Sequence, residues 1–175
     1  VAAAPPERVR VFTKMATVLH DAIPVAVTTL QRLVVDEGMA ADHTEDARVF
    51  TLENLARYRV VVFASTTGDV LEDAQQAALE AFVRKGGGFI GVHAAADTEY
   101  DWPWYGQLVG AYFQNHPPGL QSTQVQPEKD GKPVGPRWPI TDELYNDRAN
   151  PRGQVRVIAT GEEREYDGGP VGADQ

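Results

Sequence analysis

Histidine is the group in this sequence best suited to move a proton near neutral pH, because the ordinary imidazole pKa lies near 6.5. There are four: His20, His43, His93 and His116. The chain has no cysteine, so a thiolate nucleophile, a disulfide framework, a thiolate zinc site and an Fe–S cluster are all excluded. Any catalysis must use oxygen and nitrogen groups. Around the histidines stand hydroxyls and carboxylates: Thr13-Lys14, His20-Asp21, Ser65-Thr66-Thr67-Gly68-Asp69, then Asp97, Glu99 and Asp101 after His93. The run Asp101-Trp102-Pro103-Trp104-Tyr105 packs three aromatic rings into five residues. Rings flanked by carboxylates suit carbohydrate, since sugar C–H faces stack on them while the hydroxyls need directional partners. They equally suit a hydrophobic plug over the end of a sheet. No HxH or HExxH spacing is present, so a metal site is not visible as a local motif.

Those residues matter only if the elements bring them together. Arg8 to Thr13 alternates polar and apolar like a strand, and Ile23, Val27, Leu30 and Val34 then fall on one face of a helix, with Asp21 as expected N-cap, Pro24 in the first turn and Gly38 ending it. Ala41 to Glu45 reads as a short strand and Leu52 to Ala56 as a helical turn. Arg59 to Ala64 is continuously apolar after its arginine, the pattern of a strand covered on both faces of a parallel sheet. Asp69 and Glu72 have capping-box spacing, Leu71, Ala74, Ala78, Leu79 and Phe82 form a stripe, and Gly86-Gly87-Gly88 stops the helix before a strand at Phe89 to His93. Trp104 to Phe113 reads as a helix, Leu120 to Val125 and Val155 to Thr160 as strands, and the Pro/Gly-rich Gln126 to Trp138 as a loop.

Successive βα units argue for a doubly wound, mostly parallel α/β sheet with helices on both faces. In such sheets ligands bind beyond the carboxyl ends of the strands. That rule gathers Thr13, His20, Ser65, Thr66, His93, Asp97 and Asp101 on one rim. His93 stands out, because it ends a strand directly before the small residues Ala94-Ala95-Ala96. Ser65, Thr66 and Asp69 have a simpler reading as caps, His20 as a surface imidazole, and His43 as a solvated edge residue.

Composition narrows the ligand. With 16 Lys+Arg against 25 Asp+Glu, a formal charge of −9 disfavours a nucleic-acid partner. The longest apolar run, Val60 to Ala64, is far below the roughly 18 residues of a membrane span. Residues 1–7 read as a flexible tail and 8–175 as a single domain. Val1-Ala2-Ala3-Ala4-Pro5-Pro6 is a small-residue stretch of the kind found at signal-peptidase sites, which suggests a processed protein, secreted or periplasmic.

Gly86-Gly87-Gly88-Phe89-Ile90-Gly91-Val92-His93-Ala94-Ala95-Ala96-Asp97, continuing through Tyr100-Asp101-Trp102-Pro103-Trp104-Tyr105 to Asn115-His116-Pro117, resembles the ThuA-like (trehalose-utilisation) family. Ser65 to Asp69, His20-Asp21, Asp142-Glu143 with Tyr145-Asn146, and Asn150-Pro151-Arg152-Gly153 are similar to its other motifs. The resemblance implies a flavodoxin-like fold related to class I glutamine amidotransferases, and a link to disaccharide catabolism. Those amidotransferases carry cysteine on the turn after the corresponding strand, where this chain has His93, so thioester chemistry is excluded. Leu144 and Asp147 depart from the family pattern. The resemblance also implies a further strand and a Gly-His-Thr-like motif beyond Gln175, as in a truncated chain.

The resulting expectation is a sugar-processing domain acting on trehalose, another disaccharide or a keto-glycoside. His93 is the general base or metal ligand, with His20 and His116 as its partners and Glu143 as a carboxylate acid/base or ligand. His116 joins the set through the resemblance alone. His20, His93 and His116 are also the ligands expected for a divalent metal ion, the one cofactor considered. Thr13, Ser65, Thr66, Asp97, Asp101, Trp102, Trp104 and Tyr105 are the expected substrate contacts. The i, i+2 spacing across Pro103 predicts an extended segment with the two tryptophans facing different ways, one filling the sheet end and one meeting sugar. The alternative is a non-catalytic carbohydrate-binding domain of a larger secreted protein.

Overall fold

The structure is a computed structural model that describes residues 6–110, 112–115, 121–129, 132–136, 138–142, 146–147, 155–159 and 162–165. The chain divides into two compact units, Val1–Val109 and Gly110–Gln175. The first carries a four-stranded parallel sheet in the order β2-β1-β3-β4, formed by β1 (Arg8–Phe12), β2 (Ala40–Thr44), β3 (Val60–Ala64) and β4 (Gly88–Val92). Around it lie α1 (Ile23–Asp36), α2 (Leu52–Leu55), α3 (Asp73–Arg84) and α4 (Pro103–Val109). This is the flavodoxin-like α/β arrangement the sequence implied.

Strand alternation assigns the two faces. Val9, Val11, Val62 and Ala64 are buried against Val27, Leu30 and Val34 of α1, the helical stripe read from the sequence. The opposite face is aromatic: Phe12 meets Phe50 and Phe63, and Phe63 meets Phe89 and Tyr105 of α4. Gly38 takes a positive φ of 75° after α1, as a helix-ending residue should.

Three boundaries differ from expectation. The N-cap of α1 is Ala22 rather than Asp21, and it makes no side-chain cap bond; the turn is closed instead by the Ile23 N–H donating to the His20 carbonyl at 3.2 Å. The capping box sits later than Asp69/Glu72, because α3 starts at Asp73 and Gln75 Oε1 accepts from the Glu72 N–H at 3.0 Å. Asp69 is exposed in the preceding turn. Finally, β4 is the edge of this sheet among the described residues, so Ile90 is 49% exposed rather than covered.

In the second unit β6 (Gln121–Lys129) is flanked by antiparallel partners β8 (Trp138–Asp142) and β10 (Val155–Ala159), with β7 (Lys132–Pro133) also on β6 and β11 (Glu162–Glu165) on β10. A short β5 (Phe113–Asn115) pairs with β9 (Asn146–Asp147). The expected loop over 126–138 is thus largely ladder. Among the described residues no helix is long and apolar enough to cross a membrane.

Candidate functional site at the carboxyl edge of the parallel sheet

Neighbouring strands β3 and β4 end in the same unusual way. The Ser65 N–H still donates to the Val92 carbonyl at 3.0 Å, and then Ser65 and His93 both turn left-handed, with φ of 55° and 54°. Neither is glycine, so each conformation is strained, and such strain persists only where surrounding structure holds it. At His93 the turn tightens into a 3₁₀ segment, His93–Ala96, whose Ala94 and Ala95 are fully packed. The imidazole is therefore swung out of the sheet at its open end. His20, carried by the connection from β1 to α1, meets it edge-on with ring centroids 4.9 Å apart and planes at 82°.

A pocket of about 170 Å³ opens beside His93, walled by Phe89, Gly91, Ala95, Ala96, Leu108 and Val109. Its walls are small or apolar except for the imidazole. A side chain at Gly91 would bring a Cβ to 3.2 Å from the Ala95 Cβ, so glycine there keeps this corner open.

The three connections are stitched together past the end of the sheet. Met15 pairs with Thr67 and Gly68 pairs with Thr98 in parallel bridges. Thr66 and Thr98, both buried, share a hydroxyl hydrogen bond of 2.9 Å, and Thr98 Oγ1 donates onward to the Ala94 carbonyl at 3.2 Å. Thr66 thus faces inward as part of the frame. Ser65 is nearly buried at the strand end.

Several expected contacts have structural duties. Thr13 is fully buried and its hydroxyl lies 2.7 Å from Nε2 of His43, which is otherwise exposed on the edge strand β2. Tyr105 is also fully buried, with its hydroxyl donating to the Ala95 carbonyl at 2.7 Å; it braces the 3₁₀ turn of His93 from the core. Asp97 accepts from the Tyr100 hydroxyl at 2.5 Å, and Asp101 is exposed. The extended segment expected across Pro103 does not form. Pro103 opens α4 rather than extending the chain, which suits proline at a helix start, and the rings of Trp102 and Trp104 meet at a tilt, 4.9 Å apart and at 33°. Trp102 also lies parallel to Tyr105 at 5.9 Å, so the aromatic layer grows from the core to a half-buried edge. His116 and Glu143 lie outside the described residues.

Glu99, among the carboxylates that follow His93, sits in the interior. It is 1% exposed, has a φ of 56°, and accepts the N–H groups of Val70 and Leu71 at 2.8 and 2.7 Å and the Gln76 amide at 2.6 Å. Burial pushes its carboxyl above the ordinary range, and the three donors offset this only in part. Nothing in the sequence distinguishes it from its exposed neighbours Asp69 and Asp101.

The family model described as trehalose utilisation, ThuA, matches residues 8–175. The chain belongs to the ThuA family. In structure it is similar to a protein described as ThuA-like from Bacteroides uniformis ATCC 8492, at 18% identity and a TM-score of 0.73, with 95% of this chain and 78% of that chain covered. A second ThuA-like protein, from Parabacteroides merdae ATCC 43184, aligns at 17% identity and a TM-score of 0.65, covering 93% of this chain and 73% of that one. These likenesses establish the fold. No curated protein matches the chain. Family membership makes this a trehalose-utilisation domain at the level of the family. Among the described residues of this ThuA chain no group of three or more potential ligands is arranged to hold a metal ion. Of the expected ligand set His20, His93 and His116, the first two are in contact and His116 lies outside the described residues.

Proposed function

We propose that this ThuA-family protein is a sugar-processing enzyme acting on trehalose, a related disaccharide or a keto-glycoside, with His93 as general base and His20 as its proton partner. The observation that carries the reading is the edge-on contact of the two imidazoles, one of them, His93, on a strained strand end and lining a pocket. Two imidazoles this close can both reach one bound substrate, and general acid–base transfer by a positioned side chain contributes about 10²–10⁴-fold to a rate. The pocket beside His93 joins apolar side chains to polar surface, the mixed lining that the C–H faces and hydroxyls of a sugar require.

The test is turnover of trehalose and of its keto derivative by the wild type and by His93→Ala, His20→Ala and His43→Ala. His43, held by Thr13 on β2, serves as control. Loss of roughly 10²-fold or more in the first two, with the third unchanged, supports the assignment. Equal activity in all four contradicts it. The half-buried Trp102/Trp104 layer favours one other reading, a non-catalytic carbohydrate-binding domain. Saturable sugar binding without turnover, lost on Trp104→Ala and retained in His93→Ala, would establish that alternative.

A further inference from the structure

We propose that Thr67 is the positioning residue of the histidine pair: its hydroxyl fixes the segment that presents His20 to His93. The inference rests on the reading of these histidines as the working pair, and it concerns what keeps them together.

Thr67 lies just past β3 and is completely buried. Its hydroxyl donates to the Val18 carbonyl at 3.1 Å and accepts from the Val18 N–H at 3.1 Å, with the Thr17 N–H at 3.4 Å. Its own carbonyl accepts from the Ala16 N–H at 2.7 Å. One residue therefore holds three consecutive residues of the connection that ends at His20. On the other flank, the Gly68 N–H donates to the Asp97 carbonyl at 2.8 Å and the Gly68 carbonyl accepts from the Glu99 N–H at 3.2 Å. Thr67 and Gly68 thus join the segment before His20 to the segment after His93.

Burial cannot do this work. Val18 is 51% and Leu19 71% exposed, and Ala16 and Thr17 are exposed as well, so the segment gains little from packing. Hydrogen bonds to a fixed, buried side chain supply the order instead. The demand is specific: the group must donate and accept at once toward the backbone of one residue, as a hydroxyl can and a methyl cannot. It must also be rigid, and the β-branch of threonine restricts χ1. Because Val18 is exposed, water can satisfy its peptide when the hydroxyl is removed. Removal should therefore loosen the segment without unfolding the domain.

The experiment uses the full chain, wild type, Thr67→Val and Thr67→Ser, and reads the NOE between the His20 and His93 ring protons together with hydrogen exchange of the Val18 amide. The wild type should show the NOE and a protected Val18 amide. Thr67→Val should lose both, and Thr67→Ser, which restores the hydroxyl, should recover both. An NOE of wild-type intensity in Thr67→Val overturns the proposal, as does Thr67→Ser behaving like Thr67→Val. If Thr67→Val fails to fold, the wild-type Val18 amide decides alone, since rapid exchange there means the hydroxyl holds nothing. No sugar enters these measurements. Absence of sugar turnover in the wild type would defeat the proposed function and leave this result standing.

Discussion

Glu99 offers the most quantitative check on how the site is framed. Its Oε1 accepts both the Val70 and Leu71 N–H groups, and Oε2 accepts the Gln76 amide. Val70 and Leu71 are 1% and 6% exposed, so water cannot replace the carboxylate if it is removed. Glu99→Ala leaves two buried N–H groups without an acceptor, at about 1–3 kcal/mol each, and should destabilise the protein by about 3–5 kcal/mol in urea unfolding. Glu99→Gln keeps an oxygen for both N–H groups and requires only that the Gln76 amide turn over, so about 1 kcal/mol is expected. The pH dependence separates charge from shape. Burial raises the carboxyl pKa in the folded state above its unfolded value, so over that interval the folded protein binds more protons. Wild-type stability relative to Glu99→Gln should therefore increase as pH falls from above the folded pKa toward the ordinary glutamate range, and decrease as pH rises through that window. A gap that is constant with pH, or that moves the other way, would refute the claim that desolvation governs this group. Equal stability of Glu99→Ala and the wild type would refute its framing role.

Three further outcomes follow from the same frame. Gly68→Ala places a Cβ 2.8 Å from Thr17 Cγ2 at a φ of 71°, and should lower stability by about 1–2 kcal/mol in thermal or urea melts while broadening the NMR signals of residues 16–20. Tyr105→Phe removes the hydroxyl that donates to the Ala95 carbonyl and should cost about 1 kcal/mol, whereas Tyr105→Ala should cost about 3–5 kcal/mol, both read by urea unfolding. A double-mutant cycle on Trp102 and Trp104 should give a coupling of about 0.5–1.5 kcal/mol because the two rings are in contact; independent effects would show that the contact carries no energy.

Periodicity made the parallel core legible. The β3 run, the α1 stripe Val27, Leu30 and Val34, and Gly38 all fall where alternation and helical spacing put them, since these signals come from burial repeated over many residues. Single-residue signals transferred less well. Asp21 has the chemistry of a cap without the geometry, and Pro103 is compatible both with an extended segment and with a helix start. Prolines also hid part of the second unit: Pro127 and Pro133 read as breakers inside the expected loop, yet each takes a ladder position in an antiparallel pair. For the site, placing His93 at a strand end followed from the run before it, and its contact with His20 followed from the rule that strand connections converge at one edge. The roles of Thr13, Thr66 and Tyr105 were not legible, because a hydroxyl turned to a ligand and one turned to a backbone carbonyl or another side chain have the same sequence. Glu99 was hidden for the same reason, since burial of a lone carboxylate leaves no periodic trace.

The central claim is that the two imidazoles at the carboxyl edge of the parallel sheet are where sugar is handled. A crystal structure of the protein soaked with trehalose or its keto derivative tests it most directly. A sugar hydroxyl or carbonyl oxygen should lie within about 3 Å of a ring nitrogen of His93 or His20. Sugar bound only across Trp102 and Trp104, with both imidazoles out of reach, would contradict it.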